Sequence, residues 1–306
     1  MTDSGKEPRC SLFQPKSLYE SGLSSGEVSL QGLFDGEFQS GAVSRLDIGG
    51  LTRILCFGCL AENSAEVSEA AEARRTFLHG LVSRILSAGV RRSRIKLIRC
   101  LRTEAEYAGD NLSCAELSVR MAPLPGGDAA DAVTVRSYRS YFVSTGVLRK
   151  TEAWRPVLSA RATVRRSARV VFSDPVVCAA LLNLTPDEIL WDYRRLWVLN
   201  ISLALRDLAL YTGMIGGRLF HYRDSLNLTA DAVIARPDGT FGLIQTAAGG
   251  EPYIDEAAVR LKKLEKKLDR EKMPAPSFKM VLVGVGDFAY QRSDGVMVVP
   301  IGCLKN

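Results

Sequence analysis

The sequence predicts an α+β protein: a helical first half, then a C-terminal α/β half built on a mixed sheet. Two patterns carry that reading. Between Phe77 and Leu101 apolar residues recur at steps of three and four, the spacing of a helix with one buried stripe. From Val170 onward the pattern changes to helical stretches alternating with short β-branched runs separated by turn residues. A third observation bears on partners. Nine basic residues lie between Arg136 and Arg169, opposed only by Glu152, so this stretch is +8 in a chain whose net charge is +6.

Residues 1–16 are polar with two prolines and read as a flexible tail. Residues 17–104 read as a helical segment. Phe77, Leu78, Leu81, Val82, Ile85 and Leu86 form the apolar stripe of one helix, and Ile95, Ile98 and Leu101 repeat it in the next. Arg91, Arg92, Arg94, Lys96, Arg99 and Arg102 fall on the remaining, solvated surface.

Residues 105–170 have helix-turn-helix grammar. Ser113 is placed to cap a short helix from Cys114 to Met121, which the Pro123–Gly127 loop ends. A second helix, Val133 to Ser144, carries Val135, Tyr138, Tyr141 and Phe142 on one side and stops at Gly146. Val147-Leu148-Arg149-Lys150 follows where a wing would sit, so the region reads as winged-helix-like.

In residues 171–306, Ser173-Asp174-Pro175 opens a helix, and Leu196, Leu199, Leu203, Ala204 and Leu208 mark a longer one. Strands are expected at Gly217–Tyr222, Ala230–Ala235 and Gly242–Thr246, with Arg236-Pro-Asp-Gly239 as the turn between the last two. A charged helix from Ile254 to about Glu271 has Ala257, Leu261, Leu264 and Leu268 inward, and Lys279–Val285 and Val296–Ile301 close the sheet.

Composition narrows the classes. Hydrophobic residues make up 46% and charged residues 24%, ordinary values for a globular protein. No apolar run approaches the ~20 residues that span a bilayer. The first residues lack the apolar core of a secretory signal. No membrane association and a cytoplasmic location are therefore expected. The seven cysteines (Cys10, Cys56, Cys59, Cys100, Cys114, Cys178, Cys303) are odd in number and scattered, which argues against a disulfide framework. Cys56-Phe-Gly-Cys59 has no second Cys/His pair for zinc, since His79 and His221 are distant in sequence. It reads as two small apolar residues, and no metal or cofactor is expected.

A concentrated basic segment is the footprint of a polyanion-binding face. Arg136 and Arg139 on the second helix, Arg149 and Lys150 at the wing, and Arg161, Arg165, Arg166 and Arg169 beyond it are the candidate contacts to duplex DNA.

The string SLYESGLSSGEVSLQGLFDGE (Ser17–Glu37) resembles a segment of bacterial predicted AAA-type ATPases just after their nucleotide-binding core. Gly49-Gly50, Ala153-Trp154-Arg155-Pro156, the arginine-rich stretch, Phe172-Ser-Asp-Pro175 and His221-Tyr-Arg-Asp224 followed by Asp231 resemble later landmarks, in order. The resemblance implies a segment like an ATPase lid over residues 17–104, a winged helix, and a nuclease-like fold of the PD-(D/E)XK type over residues 171–306.

Two departures shape what is expected of this chain. The phosphate-binding string G-x-x-x-x-G-K-[ST] does not occur in it; Gly5-Lys6 is followed by Glu7-Pro8. No ATPase activity of its own is therefore expected. The nuclease motif, a Glu in the long helix, an E-x-D and an E-x-K, falls by the resemblance on Ile201, on Thr229-Ala230-Asp231 and on Gln245-Thr246-Ala247. Of these only Asp231 keeps a carboxylate, and Ala247 supplies no ammonium group. A hard divalent cation is poorly held by one carboxylate.

The leading expectation is a non-catalytic DNA-binding or DNA-associated protein, with Asp231 hydrogen-bonded to a turn or to Arg223. The alternatives are an interaction adaptor, or remnant, that binds an AAA-type ATPase or itself, and a metal-dependent nuclease whose carboxylates have moved to Glu251, Asp255 or Glu256. Three further features get structural readings. Arg223 and Asp224 are read as a local pair, Trp154 as a core anchor, and Lys262, Lys263, Lys266 and Lys267 as a solvated helix face.

Overall fold

Capping side chains and turn residues punctuate this chain, and most helices begin where one is available. A computed structural model describes residues 15–58, 66–87, 93–121, 130–159 and 163–306. Among these it contains ten α-helices, and a large mixed sheet. Their contacts group the chain into two compact units, one holding Cys56–Lys150 and Val170–Thr185, the other Lys16–Leu55, Thr151–Arg169 and Pro186–Asn306. Among the described residues no helix is long and apolar enough to cross a membrane.

The early elements are β1 (Val28–Ser29), α1 (Leu30–Asp35) and α2 (Ile48–Phe57). The first unit is mainly helical: α3 (Val67–Ser87), α4 (Arg94–Glu106), α5 (Cys114–Arg120), α6 (Ala132–Ser144) and, later in the chain, α7 (Pro175–Leu181). Ser113 and Glu116 form a reciprocal capping box on α5, and Asp131 accepts from the Thr134 amide at 2.6 Å to start α6. Asp174 caps α7, with Pro175 in its first turn. The α3 stripe is anchored by Leu81 and Ile85, which are fully buried. In α4 the inward face is Leu97, Cys100 and Leu101, while Ile95 is 63% exposed. The expected Ile95–Ile98–Leu101 face is thus turned about the helix axis. The small residues Cys100, Thr103 and Ala105 bring α4 close to α7, where the Cys178 thiol reaches the Ala105 carbonyl at 3.7 Å.

Cys56 is buried, and its sulfur accepts from Arg74 Nη1 at 2.8 Å, in keeping with a packing role. Cys59 lies outside the described residues, as do Arg91, Arg92 and the Pro123–Gly127 loop. After Gly146, whose φ of +80° only glycine adopts freely, strand β2 (Leu148–Ala153) begins. The Ser173 amide donates to the Val147 carbonyl at 3.0 Å, bringing the end of β3 (Arg169–Phe172) alongside the start of β2.

The second unit is built on the sheet. After α8 (Pro186–Trp191) and α9 (Tyr193–Met214) come β4 (Arg218–Arg223), β5 (Thr229–Ala235) and β6 (Phe241–Ala247), an antiparallel meander. The Arg236–Gly239 turn closes the β5–β6 hairpin, with the Gly239 amide bonded to the Arg236 carbonyl. Helix α10 (Glu251–Lys267) then crosses to β7 (Phe278–Val283), parallel to β6. β8 (Tyr290–Gln291) and β9 (Met297–Pro300) complete that edge, and the last residues of β2 lie parallel to β4 at the other. Val233, Leu243, Val281 and Val283 pack with Ala258, Leu261 and Leu264 of α10, and Trp154 sits in this core between Tyr222 and Phe241. The alternate residues Ala232, Ile234, Ile244, Met280 and Leu282 are buried as well, and α9 packs against β4 and β6. Both faces of the sheet are covered, which is why every residue of β6, the polar Gln245 and Thr246 included, is buried rather than alternate ones.

The Ser17–Glu37 string belongs to this unit. The Leu18 amide donates to buried Asp207 on α9 at 3.0 Å, and Ser24 Oγ and the Ser25 amide bond the Leu304 and Gly302 carbonyls. β1 pairs in parallel with β10 (Leu304–Lys305). Leu18, Leu30, Leu33, Leu51 and Leu55 are fully buried.

Candidate functional site

The basic residues singled out by charge fall into two groups. In the first unit Arg136 is exposed on α6, whereas Arg139 is tied down: Nε and Nη2 grip both oxygens of Glu104 at 2.6 and 3.0 Å, and Nη1 donates to the Leu112 carbonyl at 2.9 Å. Burial works against its charge, but Glu104 outweighs that and holds the guanidinium above its ordinary pKa. Arg149 is half-buried, and desolvation lowers its pKa; Lys150 beside it is exposed. In the second unit Arg165 and Arg166 are exposed, Arg165 touching Asn227 Oδ1 at 3.4 Å. Arg169 points inward, and Arg161 lies outside the described residues. Exposed Arg155, on the same basic stretch, adds to this group.

Of the positions carried over from the nuclease motif, Gln245 meets Asp231. The register that pairs Ala232 with Ile244 brings Asp231 opposite Gln245 one step further along. Asp231 is buried, and one oxygen, Oδ2, accepts from Gln245 Nε2 at 2.5 Å, from the Thr246 amide at 3.0 Å and from Thr246 Oγ1 at 2.8 Å. The other, Oδ1, pairs with Arg169 Nη1 at 3.0 Å. The partner expected at this carboxylate was a turn or Arg223; the cation that meets it is Arg169. Ile201 on α9 is buried and apolar, and Ala247 packs in the α10 core.

The helix residue that reaches this strand is Asn200, which sequence reasoning passed over. Its Nδ2 donates to the Ala247 carbonyl at 3.0 Å, and a Cβ on Gly284 would collide with its Oδ1. The signal was a lone amide inside an otherwise apolar helical stretch.

Nearby, His221 is buried with its Nε2 3.1 Å from the Ser167 carbonyl. Desolvation, reinforced by the Arg169 charge, pushes its pKa down to about 4, so the ring is neutral at pH 7. Its neighbour Tyr222 points the opposite way, into the core, as strand alternation requires. Asp224 does not pair with Arg223. It accepts from Lys267 Nζ at 2.6 Å, from Tyr222 Oη at 3.1 Å and from the Leu226 and Leu228 amides, while Arg223 reaches Asn227. Burial would raise the Asp224 pKa, but Lys267 and the amides of Leu228 and Leu226 hold it below the usual carboxylate range.

The other acidic candidates have partners of their own. Asp255 pairs with Arg292 at 2.7 Å, Glu256 with Arg260 at 2.6 Å, and Glu251 accepts from Tyr290 Oη at 3.3 Å. Among the described residues no three His, Cys, Asp or Glu side chains are grouped as a metal site would need. Chemically, the strand-end cluster is a set of hydrogen-bond donors closed around one carboxylate.

No curated protein and no solved structure matches the chain. Residues 50–188 match the model of one family, a domain of unknown function (DUF8612).

Proposed function

We propose that this chain is a non-catalytic DNA-binding or DNA-associated protein in which a winged helix (α5 and α6 with β2 and β3) accompanies an inactive nuclease-like fold. The observation that carries the reading is the state of Asp231: both carboxylate oxygens are engaged by the chain's own donors, Arg169 among them. Hard divalent cations take six or more oxygen ligands, several of them charged. A carboxylate already neutralised by an arginine, flanked by Gln245 and Ala247, is a weak nucleus for such a site.

The winged-helix part is supported by the order of α5, α6, β2 and β3 and by the capped starts of α5 and α6. The DNA-binding part is supported by charge. The reading puts phosphate contacts on the exposed Arg136, Lys150, Arg165 and Arg166, and gives Arg139 and Arg169 internal roles.

Fluorescence anisotropy with a labelled duplex over a range of salt concentrations tests this reading. Binding should weaken linearly on a log–log plot, and Arg165→Ala with Arg166→Ala should reduce the slope by about two. An unchanged slope would remove these arginines from the interface, and an absence of salt-dependent binding would end the reading.

A further inference from the structure

Beside the Asp231 cluster the second unit has an open cleft of about 260 Å3, lined by Tyr193 and Trp197 of α9, Gln245–Ala247 of β6, and Tyr253, Glu256, Ala257 and Arg260 of α10. Three features distinguish it from an ordinary surface depression. Its walls are aromatic: Tyr193 and Tyr253 stack at 4.9 Å and 25°, yet remain 44% and 45% exposed, and Trp197 stands one turn along α9. Its floor is formed by Gln245 with Thr246 and Ala247 of β6. Gln245 is only 6% exposed; Asp231 fixes its Nε2, and Oε1 is left with no hydrogen-bond partner among the described residues.

The third feature is the neighbouring groove. Glu256 and Arg260 also line a second, larger cleft of about 450 Å3, with Leu226, Asn227, Leu228, Val259, Lys263, Lys266 and Lys267. Lys267 is paired with Asp224, and Lys262, on the same helix, with Asp294. Lys263 and Lys266 are exposed and make no ion pair among the described residues. The helix face read from sequence as merely solvated therefore presents two unpaired ammonium groups at one end of an aromatic slot.

We infer that this pair of clefts binds an unpaired nucleotide, its base against Tyr193, Trp197 and Tyr253 and its phosphate towards the basic groove of Lys263 and Lys266. Aromatic faces with an adjacent basic track are how unpaired bases are held, because every base has a π-face and every nucleotide a charge. The volume suits one planar ring system rather than a drug-sized ligand, for which pockets run to ~300–1,000 Å3. Ring size sets the preference: adenine offers these aromatic walls a larger π-face than uracil and stacks more strongly. The nucleotide comes either free or as part of a single strand. The inference rests on the nucleic-acid reading above and names a second chemistry for the same chain.

The test uses the full chain with two probes: AMP and UMP by isothermal titration calorimetry, and a labelled single-stranded oligo(dA) by anisotropy. AMP should bind more tightly than UMP. Tyr253→Ala, at a half-exposed position, should weaken AMP at least about fivefold, and Lys263→Ala with Lys266→Ala should weaken AMP and oligo(dA) alike. AMP bound as tightly as oligo(dA) assigns the site to free nucleotides, and a large advantage for oligo(dA) assigns it to strands. Equal binding of AMP and UMP, insensitive to Tyr253→Ala, would overturn the base site, as would no binding of either probe. Duplex binding is measured in parallel with the Arg165/Arg166 variant. Its loss while AMP binding persists would sink the duplex reading alone, and the converse would sink this one alone.

Discussion

Replacing Asp231 with asparagine separates a structural carboxylate from a catalytic one. The side chain is 3% exposed and its Arg169 partner 15%. Asparagine matches the shape but carries an amide that must face either Arg169 or the Gln245–Thr246 donors, so one side of the cluster meets donor against donor. Removing one partner of a buried pair costs about 3–5 kcal/mol. Arg169 keeps some access to water, which places the expected loss near the lower end, at about 3 kcal/mol. Urea unfolding followed by circular dichroism should show the midpoint falling with little change in slope. A double cycle with Arg169→Gln should show that the two losses are not additive, because the pair is one unit. A catalytic carboxylate behaves in the opposite way, since active-site charges are held against stability and their removal is neutral or stabilising. A change within about 0.5 kcal/mol, the usual range for substitutions away from such features, or any gain, would refute the reasoning.

Other outcomes follow from the same geometry. His221 has a folded pKa near 4 against an ordinary 6.5. Its contribution to stability is complete above pH 6.5 and is lost as pH falls towards 4, because the unfolded chain takes up a proton that the fold excludes. The loss amounts to about 3 kcal/mol at most, and His221→Gln, which keeps a donor but cannot titrate, should flatten that window in a pH series of urea midpoints. Gly242 on β6 lies directly beneath the Phe278 ring, which also meets Phe34 edge-on at 5.0 Å. Gly242→Ala forces that ring aside and should cost about 1–3 kcal/mol, read as a drop in thermal midpoint; an unchanged midpoint would show the ring to be free to move.

The hairpin and crossover of the second unit were legible because local chemistry specifies them. Gly217–Tyr222, Ala230–Ala235 and Gly242–Thr246 each fall within a residue of a strand, since Arg236-Pro-Asp-Gly239 sets the turn and β-branched runs flank it. The Ser113 cap and the Asp174-Pro175 start were readable for the same reason. What escaped is non-local. β1 and β10 are two residues each and exist through a partner at the far end of the chain. The α4 face was misphased because two overlapping stripes share Leu101, and packing with α7 decides between them. Arg169 and Asp231 lie 62 positions apart, and no periodicity links them. Conversely, clustering in sequence overstated the basic face, since Arg139 and Arg169 are drawn inward by Glu104 and Asp231. The aromatic cleft was invisible for a similar reason: Tyr193, Trp197 and Tyr253 sit on two helices, and neither helix alone marks them as a pair of walls.

The central claim is that this chain holds DNA without cutting it. One gel-shift titration against a defined duplex, run at several salt concentrations with and without Mg2+, with the recovered DNA resolved on a denaturing gel, addresses both halves. The account predicts a shifted complex that weakens steeply with salt and intact strands in every lane. Mg2+-dependent fragments that disappear in Asp231→Asn would contradict it, as would a duplex that stays unshifted at the lowest salt.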